Sequence, residues 1–134
     1  LRSDAWDGYP ASMRRLLAYI AGHGMRNVVF LSGDEHISCV ATLLIQPPGA
    51  APAVSIRSIH SSALYAPYPF ANSVQEDFAD NEDVFSFTDP SRVFSGTFSC
   101  SVTADYVRGD GFALVTAARH DGQWRVDCSF DRAP

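Results

Sequence analysis

The sequence predicts an α/β fold with one N-terminal helix followed mostly by β-strands, and three observations carry this. Met13, Leu16, Leu17 and Ile20 recur at i, i+3, i+4 and i+7, one stripe of a 3.6-residue period. Asn27 to Ser32 (NVVFLS) is a short, continuous run rich in β-branched and aromatic residues that stops at Gly33. Two strand-like runs near the end flank Asp121-Gly122, a pair that favours tight hairpin turns.

In chain order, the helix is predicted over Pro10–His23, with Pro10 in the first turn, Gly24 closing it, and Arg14, Arg15 and Tyr19 off the apolar stripe. The run before Gly33 reads as a strand covered on both faces in a parallel or mixed sheet. Cys39 to Gln46 forms a second strand, broken by Pro47, Pro48 and Gly49. Val54 to His60 alternates only in part and is read as a third. Three prolines and six acidic residues from Tyr65 to Pro90 predict a long loop, with one helical turn near Glu76 to Phe78. Phe94 to Tyr106, Phe112 to Ala118 and Trp124 to Phe130 complete the reading as three antiparallel strands.

With 134 residues, the chain can bury roughly two thirds of the surface its unfolded form exposes, enough for one domain over 1–134 without metal or disulfide staples. A net charge of −5 argues against nucleic acid as a partner, and no apolar run is long enough to span a bilayer. Cys39, Cys100 and Cys128 lack zinc-site spacing and read as buried thiols, with a Cys100–Cys128 bridge as the alternative. The chain starts at Leu1, not Met, and enters an organised motif within a few residues. It is therefore expected to be a piece of a larger protein, which leaves both an extracytoplasmic and a cytoplasmic location open.

Ligands of α/β sheets gather outside the carboxyl ends of the strands, so the corner Gly33-Asp34-Glu35-His36 is the first place to look for chemistry. In a sharp turn Asp34 and His36 can face the same side and offer a hard oxygen and an imidazole nitrogen to Zn, Mn, Fe or a similar ion. Gly-Asp after a strand is equally an ordinary helix N-cap signal. Glu35 would face away. His60, beside Ser61 and Ser62, can reach the rim as a proton donor or serve as a hydrogen-bonded structural residue. Trp6 and Tyr9, around Gly8, can line a substrate pocket or plug the turn before the helix, and Tyr65 and Tyr68 can shape a pocket or pin a loop. Glu76, Asp77, Asp80, Glu82 and Asp83 lack the spacing of a calcium loop and read as solvated. His23 and His120 sit beside turn residues and receive no role.

SDAWDGYP, the helix with RRLL, and RNVVFLSGDEH together resemble the C-terminal part of PhoD-like alkaline phosphatases, within the calcineurin-like metallophosphoesterase superfamily. IRSIHSSALYAPYPFAN and DGFALVTAARHDGQWRV are similar to that family's ending. The resemblance implies a bacterial metal-dependent phosphatase or phosphodiesterase acting on phosphate esters, built as a two-sheet α/β/β/α sandwich. It also implies two metal ions (Fe, Ca, Zn or Mn), with Asp34 on one and His36 on the other. Ser12 and Met13 stand where the family usually has a Glu-Arg pair, and the superfamily's earlier motifs, including the bridging carboxylate, are absent from these residues. The resemblance thus implies an active parent enzyme, an inactive isolated chain, and an exposed sheet covered by the rest of the parent or by a second copy. The rival readings are a non-catalytic structural or protein-binding module and a protein with a single metal. Asp-x-His, GDxx and GN[HD] motifs encoded upstream of Leu1 would favour the enzyme.

Overall fold

The computed structural model of the chain describes residues 6–33, 37–62, 82–107 and 111–132. Among these residues one helix, α1 (Pro10–Gly22), follows a 3-10 turn at Trp6–Gly8 and precedes seven strands: β1 (Val29–Ser32), β2 (Ser38–Gln46), β3 (Val54–His60), β4 (Glu82–Thr88), β5 (Thr97–Val107), β6 (Gly111–His120) and β7 (Gln123–Arg132). The strands form a five-stranded sheet in the order β1-β3-β2-β5-β4 and a two-stranded sheet of β6 and β7. The α/β class and the helix-then-strands order are those read from the sequence. The chain divides into two compact units.

The first unit comprises Leu1–Val28, Thr42–Ile56 and Glu82–Thr103. Pro10 stands at the first position of α1, where its missing N–H costs no intrahelical bond. The predicted stripe points inward, with Leu17 and Ile20 buried and Ala18 and Ala21 beside them, while Arg14, Arg15 and Tyr19 are exposed. Burying Leu17 and Ile20 contributes about 1.5–3 kcal/mol each. The helix ends in a Schellman motif: Met25 N–H donates to the Ile20 carbonyl and Gly24 N–H to that of Ala21, with Gly24 at φ 63°. Phe98 of β5 faces Phe87 of β4 in register, and their rings stack at 5.2 Å. Phe94 meets Phe98 edge-on and lies close over Gly22, a position a larger residue could not occupy without moving the ring.

β4 corrects the sequence reading. Residues 82–88 are a strand paired antiparallel with β5, not the end of a loop. Phe85 and Phe87 supply the alternate apolar positions, a period-2 signal obscured by the acidic residues that precede it. The helical turn expected near Glu76 to Phe78, with Glu76, Asp77 and Asp80, lies outside the described residues, as do Tyr65 and Tyr68. After β4, buried Asp89 caps the turn into β5. Its carboxylate accepts from the Ser91 hydroxyl and from the backbone N–H groups of Ser91, Val93 and Phe94. These bonds, the Ser91 hydroxyl foremost, hold its pKa below the ordinary carboxylate value.

The second unit comprises Val29–Ala41, Arg57–Asn81 and Ala104–Pro134. β1 lies parallel to β3, as expected for a run of its type, but it is an edge strand. Val29 and Phe30 are half-buried and Leu31 is 65% exposed, so the strand is not covered on both faces. β6 and β7 close through Asp121 and Gly122, both at positive φ, the geometry of a type I′ turn. The Phe94–Tyr106 run forms β5 and pairs with β4 rather than joining that hairpin. Among the described residues there is no disulfide: Cys39, Cys100 and Cys128 are all thiols, which removes the Cys100–Cys128 alternative. No helix among them is long and apolar enough to cross a membrane.

Candidate functional site

Parallel pairing of β1 and β3 brings two carboxyl strand ends side by side. The register runs Val29↔Arg57, Phe30↔Ser58, Leu31↔Ile59 and Ser32↔His60, so Ser32 and His60 are partners on one face of the ladder. Ser32 Oγ lies 2.8 Å from His60 Nδ1; the hydroxyl donates in the Nε2–H tautomer and accepts in the Nδ1–H tautomer. This contact fixes the imidazole of a half-buried histidine at the mouth of the sheet. The structural and the proton-donor readings of His60 both require such a placement.

Beyond the ladder, Ser61 and Ser62 make a dense set of short bonds. Ser61 N–H donates to the Ser32 carbonyl (3.1 Å), Ser61 Oγ accepts from Ala113 N–H of β6 (3.0 Å), and Ser62 N–H donates to Ser38 Oγ (3.0 Å). Ser38 is 3% exposed and Ser62 7%. Gly33 brings its Cα side to within van der Waals range of the Ser61 carbonyl, where a Cβ would sit 3.5 Å away. None of the four serines was singled out by its own chemistry in the sequence reading. The signal is there as SGDEHIS and HSS: each strand end is flanked by small hydroxyl residues that can bond a neighbouring backbone.

Asp34, Glu35 and His36 lie outside the described residues. The chemistry of Asp34 and His36, a carboxylate and an imidazole, fits two positions in the coordination sphere of a divalent ion. Among the described residues no group of three or more His, Cys, Asp or Glu side chains completes such a sphere. The described thiols add little. Burial pushes the Cys39 thiol up, and burial likewise raises Cys128, partly offset by the Arg57 guanidinium. Burial first, then the neighbouring Cys39, raises the Tyr106 hydroxyl.

The sequence profile of the PhoD-like phosphatases matches residues 1–110. The chain belongs to the PhoD-like phosphatase family. Both strand ends, Ser32–Ser38 and His60–Ser62, fall within the matched span. The chain is also similar to the Bacillus subtilis (strain 168) protein named Alkaline phosphatase D, 45% identical over 40 residues, which is 30% of this chain and 7% of that relative. No solved structure matches. Of the other candidates in the sequence, Trp6 and Tyr9 belong to the first unit. They bracket the 3-10 turn, Tyr9 N–H donating to the Trp6 carbonyl, and both side chains are more than half exposed. His23 caps α1, its Nδ1 3.0 Å from the Tyr19 carbonyl, and His120 is exposed beside the hairpin turn.

Proposed function

We propose that this chain supplies the last metal-binding corner of a metal-dependent phosphatase or phosphodiesterase, with Asp34 holding one ion and His36 the other. The observation that carries this is the family match, whose span contains both strand ends. Two such ions, Fe, Ca, Zn or Mn, would polarise the phosphoryl oxygens of a phosphate ester and lower the pKa of an attacking water. The remaining ligands, the bridging carboxylate among them, come from polypeptide outside these 134 residues. Residues 1–134 then form part of one larger α/β/β/α sandwich domain. The rest of the parent, or a second copy, covers exposed apolar positions such as Leu31, Leu114 and Trp124.

Within that reading His60 stands at the rim, its ring oriented by Ser32, where it can hold a proton for the leaving oxygen. The test is turnover of p-nitrophenyl phosphate and its bis ester by a polypeptide that includes the upstream ligand motifs. His36→Ala removes a neutral donor that nothing replaces, and activity is lost even in excess metal. Asp34→Asn keeps one oxygen donor, and excess metal restores part of its activity. Glu35→Gln does little. Full activity in His36→Ala refutes the ligand assignment, and no turnover by the unaltered polypeptide favours the non-catalytic module.

A further inference from the structure

Within the first unit, two turns are each braced by one of their own side chains, and the two turns meet. The turn from β4 to β5 is held by Asp89, whose carboxylate accepts from Ser91, Val93 and Phe94. The turn from β2 to β3 is held by Gln46, whose side-chain amide donates to the Pro47 and Ala51 carbonyls. They touch at Pro48 and Gly96, so closely that a Cβ on Gly96 would lie 2.7 Å from the Pro48 Cβ. Two open clefts of about 550 and 270 Å³ remain around them, and Phe94 and Ser95 line both, so the clefts adjoin. The larger falls within the span of small-molecule sites, about 300–1,000 Å³.

The two clefts differ in chemistry. The larger is lined by Arg92 and by Thr88 and Thr97, partners in the last cross-strand pair of β4 and β5. The smaller is walled by Pro47, Pro48, Val93 and Phe94. Arg92 stands at φ 58°, a conformation that costs any residue with a Cβ, in the fourth position of a turn that its N–H closes onto the Asp89 carbonyl, where glycine is favoured. The turn itself therefore has no need of an arginine there. Among the described residues Arg92 has no ion-pair partner, and Asp89, which lines the same cleft, already has both carboxylate oxygens engaged.

We propose that the adjoining clefts bind a small organic carboxylate, with the Arg92 guanidinium taking the carboxylate in a two-bond fork and the proline wall taking a flat apolar body. One negative charge suits the site better than the two of a phosphate monoester, because ionised Asp89 lines the same cleft. Both walls are held by their own braces before any ligand arrives, so binding orders little of the chain. Nothing in this depends on the metal corner.

Benzoate is the probe, titrated into the full 134-residue chain and followed by the backbone amide resonances. It is expected to shift Arg92, Gly96, Thr97 and Ala51 saturably while β6 and β7 stay unmoved, with a Kd of about 1 mM, ordinary for so small a ligand. Acetate, which lacks the ring, and benzyl alcohol, which lacks the charge, are each expected to bind about tenfold more weakly. Arg92→Asn keeps a residue that suits left-handed backbone but removes the fork, and is expected to weaken benzoate by about tenfold with Tm unchanged or raised. No saturable shift at these amides, benzyl alcohol binding as tightly as benzoate, or unaltered benzoate binding by Arg92→Asn overturns the proposal. A fall in Tm in Arg92→Asn means that the side chain holds the loop, and overturns it too. Phenyl phosphate binding as tightly as benzoate at the same amides overturns the choice of a carboxylate.

Discussion

Gly22→Ala sets intrinsic helix propensity against packing. Propensity alone favours Ala over Gly in a helix by up to about 1 kcal/mol, less in the last turn. The structure demands the opposite sign. A Cβ on Gly22 would lie 2.5 Å from two ring carbons of Phe94, well inside contact distance. Phe94 is half-buried and borders open space, so its ring can turn away, but doing so gives up its edge-on contacts with His23 at 5.2 Å and with the fully buried Phe98 at 6.3 Å. Forcing extra volume into such a site typically costs about 1–3 kcal/mol. The net expectation is destabilisation of about 1–2 kcal/mol, or a fall in Tm of about 3–10 °C for a chain of this size. Thermal unfolding followed by circular dichroism measures it. In a Phe94→Ala background the obstacle is gone and Gly22→Ala becomes neutral or stabilising. A rise in Tm in the wild-type background, or equal effects in both, would refute the packing argument.

Asp89 gives a pH signature: with its pKa depressed in the folded state, its stabilisation is present above the ordinary value of about 4 and is lost as pH falls through the folded-state value. Asp89→Asn should therefore lower Tm at pH 7 but converge on the wild type in strong acid; a difference that persists there contradicts the account. Cys39, its thiol raised by burial, should react with iodoacetamide at neutral pH at least tenfold more slowly in the native chain than in urea. The 134-residue chain by itself should show no chelator-sensitive turnover of p-nitrophenyl phosphate, because the two donors Asp34 and His36 alone do not make a dinuclear centre. Turnover proportional to its concentration would mean that a whole site assembles from the residues present.

Elements with strong local signals were legible. The α1 stripe, the Gly24 stop and the Asp121-Gly122 turn are written in spacing and backbone preference, and the structure has all three. β4 was missed because its two inward phenylalanines follow an acidic, proline-bearing stretch that reads as loop. β1 was read as covered on both faces because periodicity reports apolar content and not a strand's place in the sheet order, and β1 is at the edge. His60 was legible as a candidate at a strand end. Its pairing with Ser32 was not, since a parallel register across 28 residues depends on tertiary pairing that no local pattern encodes. The same holds for Ser38 and Ser62, 24 residues apart.

The wide separation of β1 and β3 along the chain also bears on the order in which the molecule assembles. β6 and β7 can zip outward from a two-residue turn, and β4 and β5 from the short turn capped by Asp89. The β1–β3 ladder must first close a far longer loop, so its entropic cost falls due before any reward arrives. The mouth of the sheet is thus a late arrival in folding and an early departure in partial unfolding. Whatever binds there selectively to the folded form holds an edge strand of long-range pairing in place, so occupancy of the site and survival of β1 rise and fall together.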